Sequence, residues 1–102
     1  MAKYHKAVYE RVAAANMRKP GVRLGAACID AHIPVQVVAR WMGVTRQGVY
    51  YWFFGETEVA EHNTKKVEVI TKVLIRAVDD KALPVRDLAE ALNIVKKYKE
   101  MV

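Results

Sequence analysis

At 102 residues, with 53% hydrophobic and 27% charged side chains, the chain is sized for one domain with a single modest core, which excludes a catalytic domain joined to a separate sensor domain. Its 17 Lys and Arg outnumber 11 Asp and Glu for a net charge of +6, and the whole excess falls in residues 1–55, with 8 basic and 2 acidic side chains against 9 and 9 in residues 56–102. A single cysteine, Cys28, excludes an intramolecular disulfide and a Cys-rich zinc site, and the longest apolar run, Val49–Phe54, is far short of the roughly 20 residues that span a bilayer. The amino-terminal MAKYHKAVYE lacks the apolar core of a signal peptide, so a reducing, cytoplasmic setting is expected and no membrane partner is.

Residues 3–17 read as a helix, with Tyr4, Val8, Val12 and Ala15 on one stripe and Lys3, Lys6, Arg11 and Arg18 on the others. Arg18-Lys19-Pro20-Gly21 ends it, because proline and glycine in sequence break the periodicity, and this is the expected linker. A second helix from Val22 to about His32 turns Leu24, Ala27, Cys28 and Ala31 to one face, which makes Cys28 a buried, inert thiol. Pro34 suits the first turn of the next helix, where its missing N–H has no partner to lose.

Two short amphipathic runs follow, hinged at Gly43. Val38, Ala39 and Met42 share a face of the first, Val49 and Trp52 a face of the second, and Ala39 is small where the two approach. Gly43 supplies the left-handed conformation of a sharp turn, Thr45 is placed to cap the second run, and Gly55 stands as its stop. Arg46, Gln47, Tyr50 and Tyr51 are left pointing outward. Residues 56–63 read as a connection, with Asn63 or Thr64 capping a helix to about Lys81 whose stripe is Val67, Ile70, Thr71, Leu74, Ala77 and Val78. Leu83-Pro84 interrupts the pattern, and a last helix from Val85 to Lys99 is expected to bury Val85, Leu88, Ala89, Leu92 and Val95, with Asp87 in its first turn. No strand alternation or repeat is present, so the expected fold is all-α, a compact bundle of five to six short helices in one domain. Its parts are an extension (1–20), the hinged pair with its leading helix (21–62), and two carboxy-terminal helices (63–102) that complete the core or mediate oligomerisation.

From Leu24 to Gly55 the chain resembles the bacteriophage Cro and repressor type of helix-turn-helix, often called XRE-like. The residues that carry the resemblance are Leu24, Ile33, the run Val38-Ala39-Arg40-Trp41-Met42-Gly43-Val44-Thr45-Arg46, and Trp52-Phe53-Phe54-Gly55. The chain departs from the family pattern in having Val35 where a Gln is common, with Gln36 one position later, in Phe53 and Phe54 at commonly polar positions, and in the longer segment 56–63. The resemblance implies a sequence-specific regulator of transcription in a bacterial or phage-infected cell, whose second helix reads the major groove of double-stranded DNA as a homodimer or higher homo-oligomer. Under it, Arg46 and Gln47 are base-contact candidates, since Arg matches guanine O6 and N7 and Gln matches adenine N6 and N7, and Tyr50 and Tyr51 join them. Thr45, Gln36, Arg40 and Arg23 are the phosphate-contact candidates.

Five consecutive aromatics, Tyr50–Phe54, sweep around a helix and cannot all face one core. Trp52 belongs to the core, and Phe53 and Phe54 either pack under the amino-terminal helix or, with Leu74 and Leu92, form a subunit interface. A second reading is an oligomeric DNA-packaging component resembling the small terminase subunits of tailed phages, and a third is a protein-interaction module. His5, His32 and His62 are scattered, no catalytic set or phosphate loop stands out, and no enzyme activity, metal, cofactor or small-molecule ligand is implied.

Overall fold

The computed structural model describes residues 4–101, which form six α-helices and no strand: α1 (Lys6–Ala14), α2 (Pro20–Ala31), α3 (Val35–Met42), α4 (Arg46–Phe53), α5 (Glu61–Asp79) and α6 (Leu88–Glu100). Lys3, expected on an outer face of the first helix, lies outside the described residues. Helix α2 is the hub, touching α1, α4 and α5, and its contact with α5 is the most extensive. Helix α6 packs on α5, and α3 packs on α4. One continuous core results, reaching from Tyr4 and Val12 to Ala91 and Val95. Among the described residues no helix is long and apolar enough to cross a membrane.

Pro20 and Gly21 do not end a helix; they begin one. Pro20 is the first residue of α2, where fixed φ helps and the absent N–H costs nothing, and Gly21 is buried within the first turn. The expected boundary at residue 20 therefore falls in a helix, as does the one at 62, because α5 starts at Glu61. Neither Asn63 nor Thr64 caps α5. Ala60 occupies that position without a side-chain bond, and the Thr64 hydroxyl donates instead to the Ala60 carbonyl at 3.3 Å.

Gly21 and Gly25 lie one turn apart on α2, facing α4. A Cβ on Gly21 would stand 2.8 Å from both Cβ and the carbonyl oxygen of Trp52, and one on Gly25 would stand 2.8 Å from Cγ of Phe53. The bare backbone of α2 is thus the floor on which Trp52 and Phe53 rest. Fully burying a side chain such as Phe53 contributes about 2–3 kcal/mol.

Helix ends follow local chemistry. The His5 ring accepts from the Ala7 amide to start α1, and Asp87 accepts from the Ala89 amide to start α6. Helix α2 closes with His32 in the left-handed region (φ 56°), its Ile33 amide reaching back to the Cys28 carbonyl at 2.9 Å. A histidine in that conformation carries a steric cost that glycine would not, and its Nδ1 is buried without a partner.

The last helix is rotated from expectation. Residues 82–87 are irregular, so Val85 precedes the helix, and Leu88 and Ala89 are exposed. Ala91 and Val95 face inward, and Leu83, just before Pro84, supplies the buried aliphatic group at this end. The Tyr98 hydroxyl donates to Asp80 at 2.8 Å, joining the ends of α6 and α5, and that carboxylate raises the phenol pKa.

Gly21→Ala forces α4 away from α2 and is expected to cost about 1–3 kcal/mol, as overpacked cores do. Gly43→Ala meets nothing within 4 Å, so its cost is confined to backbone strain at φ 67°, about 1–2 kcal/mol. Urea denaturation of both variants checks the comparison, and the Gly21 variant should also lose near-UV dichroism from Trp52.

Burial raises the pKa of the Cys28 thiol and of the Tyr4 phenol, the latter reinforced by the nearby Cys28 and tyrosines. In the unfolded chain these groups lose their protons near 9.0 and 10.0, ahead of the folded chain. Stability is therefore fully present below about pH 9 and falls as pH rises, by up to about 1.4 kcal/mol per pH unit for each group. Denaturation midpoints of wild type and Cys28→Ala between pH 7 and 10.5 test this: the variant's decline should start a full pH unit later.

Candidate nucleic-acid interface

Helices α3 and α4 are joined by Gly43–Thr45. Gly43 is left-handed, and the Val44 amide reaches back to the Ala39 carbonyl at 3.0 Å, which closes α3 and reverses the chain. The Thr45 hydroxyl accepts from the Gly48 amide at 3.0 Å, satisfying one free donor at the start of α4. On the inner sides Val37, Val38, Ala39 and Met42 of α3 meet the same core as Val49, Trp52 and Phe53 of α4.

The outward side chains follow from that seating. On α4 the buried positions center near Val49 and Trp52, so the opposite stripe carries Gln47 and Tyr51, both exposed, and the Gln47 amide donates to the Tyr51 hydroxyl at 2.8 Å. Arg46 is exposed at the amino-terminal end of α4, about 100° around the helix from Gln47. On α3 the exposed i, i+4 pair is Gln36 and Arg40. Thr45, Arg46, Gln47 and Tyr51 are exposed along α4 and its cap, and Gln36 and Arg40 on the helix before it.

Four of the expected site residues are placed otherwise. Tyr50 is half-buried, stacked on Phe54 at 5.8 Å between centroids and edge-on to Phe53 at 6.3 Å, so its ring serves packing. The Arg23 guanidinium donates to the carbonyls of Arg18 and Met17 at 2.7 and 3.3 Å, bracing the turn before α2. Phe53 and Leu74 are fully buried and present no surface to a second copy. The aromatic run instead lies under the amino-terminal segment. Tyr4 sits 6.3 Å from Phe53, ring to ring, and donates its hydroxyl to the Ile33 carbonyl. The Arg11 guanidinium lies 3.8 Å from the Phe54 ring centroid and pairs with Glu56. Phe54 and Leu92 remain half-buried.

The positive charge is more local than the count by halves suggests. Arg11 is bound to Glu56, Lys19 to Glu58 at 3.0 Å and to the Gly55 carbonyl at 2.8 Å, and Lys6 lies 3.9 Å from Glu10. Arg18, Arg40 and Arg46 have no ion pair among the described residues. None of α1 to α4 carries an acidic residue in its first turn, whereas α5 and α6 carry Glu61 and Glu90 there.

The contribution of Gly21 and Gly25 was missed in the sequence, although their spacing opposite adjacent aromatics is a legible signal of close helix approach. Lys66 was missed as well: its ammonium donates to the Trp41 carbonyl at 2.6 Å, closing the end of α3 from α5. Among the described residues no group of three or more His, Cys, Asp or Glu is placed to hold a metal. No family model matches this chain, and no curated protein or solved structure matches it either.

Thr45→Ala removes the only side-chain cap of α4 and is expected to cost about 1 kcal/mol. Thermal melts followed by circular dichroism check it, and Thr45→Asp should restore most of the loss.

Proposed function

We propose that this chain binds double-stranded DNA through α3 and α4 as a helix-turn-helix, and that it acts as a sequence-specific transcriptional regulator. Helix α4 enters the major groove amino-terminal end first. Arg46 and Gln47 reach base edges there, with Tyr51 beside them to meet a thymine methyl or a phosphate. Arg40, Gln36 and Thr45 contact phosphates and set the register.

The observation that carries this reading is the exposed stripe Gln47–Tyr51 with Arg46 on a helix whose other faces are held by the core. Electrostatics supports it. The first turn of α4 has free N–H groups, no carboxylate and an arginine without an ion pair, a combination that attracts phosphate. An eight-residue helix supplies few base contacts, which favors two copies reading half-sites about one helical turn apart.

Sequences selected from a random DNA pool, followed by titrations with variants, test the proposal. Arg46→Ala and Gln47→Ala should each weaken binding to the selected site by about 1–3 kcal/mol and relax preference at one or two base pairs. Arg40→Ala should weaken all sequences alike and lower the slope of log affinity against log salt by about 1. Unchanged affinity and preference in both Arg46 and Gln47 variants would refute the assignment.

A further inference from the structure

About a third of a turn around α3 from Gln36 and Arg40, an open groove of about 290 Å³ runs between α3, α5 and α6. Its apolar wall is Trp41, Ile70, Leu92 and Val95, and its rim is Lys96 and Lys99, one turn apart on α6. No carboxylate lines it, and neither lysine has an ion pair among the described residues. Two neighboring ammonium groups beside an apolar trough are complementary to a molecule with a hydrocarbon body and an anionic head. We propose that this groove binds a small amphipathic carboxylate, its chain or ring lying on Trp41, Ile70, Leu92 and Val95 and its head group between Lys96 and Lys99.

Size narrows the class. At about 30 Å³ for each water-sized unit, the groove holds on the order of ten non-hydrogen atoms. That suits a medium-chain fatty acid or a single-ring aromatic acid. Because the groove is open to solvent, part of the ligand stays hydrated, and a dissociation constant on the order of 0.1–1 mM is expected. Unlike an uncharged body, the carboxylate also gains from two cations that it need not share with a protein acid.

Octanoate is the probe, with octylammonium and octanol as charge-reversed and neutral counterparts of the same chain. The chain has two indoles, so proton–nitrogen NMR distinguishes the groove from the core: Trp41 lines the groove, while Trp52 is buried under α2. Octanoate should shift the Trp41 indole signal saturably below its micelle concentration and leave that of Trp52 in place. Octylammonium should not saturate, and octanol should bind about tenfold more weakly than octanoate. Lys96→Glu with Lys99→Glu, at exposed positions that leave the core intact, should weaken octanoate about tenfold or more. Equal response to the three probes, an unaltered octanoate affinity in the double variant, or no saturable shift at Trp41 would each overturn the proposal. So would a concentration-dependent dimer that Leu92→Lys dissociates while octanoate leaves it intact, which would assign the groove to a second copy.

Discussion

Two glycines one turn apart on α2 decide where α4 can lie. Each costs about 1 kcal/mol in a helix relative to alanine, and in return Trp52 and Phe53 are pressed against bare backbone, where burying each side chain contributes about 2–3 kcal/mol. The exchange favors the fold. It also fixes the rotation of α4 about its own axis, because a helix anchored by Val49, Trp52 and Phe53 has only one stripe left to show to solvent. The outward position of Gln47 and Tyr51 is thus a consequence of packing at Gly21 and Gly25 and not an independent property of the surface.

The same seating accounts for a run of five aromatics that would otherwise expose apolar surface. Phe53 points at Gly25 and Tyr4, Trp52 at Gly21, and Phe54 lies between Tyr50 and the guanidinium of Arg11. Only Tyr51 is fully turned outward. Holding the amino-terminal segment over this run draws on charge as well as on apolar contact, since Arg11 pairs with Glu56 and Lys19 with Glu58 just beyond the end of α4. Those pairs neutralise part of the basic excess of residues 1–55, and Arg18, Arg23, Arg40 and Arg46 are left without an ion pair among the described residues. The segment after Gly55 earns its length here, because its two glutamates are the partners of the amino-terminal cations.

What the sequence showed and what it hid divide along physical lines. The pair α3–α4 was legible nearly to the residue because three local signals agree there: a glycine free to adopt positive φ, a threonine that caps, and apolar spacing that repeats on both sides of the turn. Cys28 was legible from periodicity alone. Pro20 and Gly21 were misread because proline at the first helical position and proline after a helix look alike in one dimension; only the contact with Trp52 separates them. The face of α6 was misplaced for a related reason. Its apolar pattern continues backward through Leu88 and Val85, whereas residues 82–87 are irregular and Leu83, within them, is the buried aliphatic side chain. The roles of Tyr50 and Arg23 were hidden because each has a partner, Phe54 for one and two backbone carbonyls for the other, whose position only the folded chain supplies.

Stability alone would not leave the first turns of α1 to α4 without a carboxylate. An aspartate or glutamate there is worth about 0.3–1 kcal/mol, and α5 and α6 have one each. Arg46 goes further, placing a cation where the helix dipole is positive. An exposed cation at a positive helix end is what a surface requires if its charge is to be completed from outside, and in the proposed reading phosphate completes it. The groove beside Trp41 lies roughly a third of a turn around α3 from the Gln36–Arg40 stripe, so a molecule bound there would not compete for that face. It would instead press on the helix whose end Lys66 ties to α5, and any shift of that end reaches α4 through a turn of only three residues.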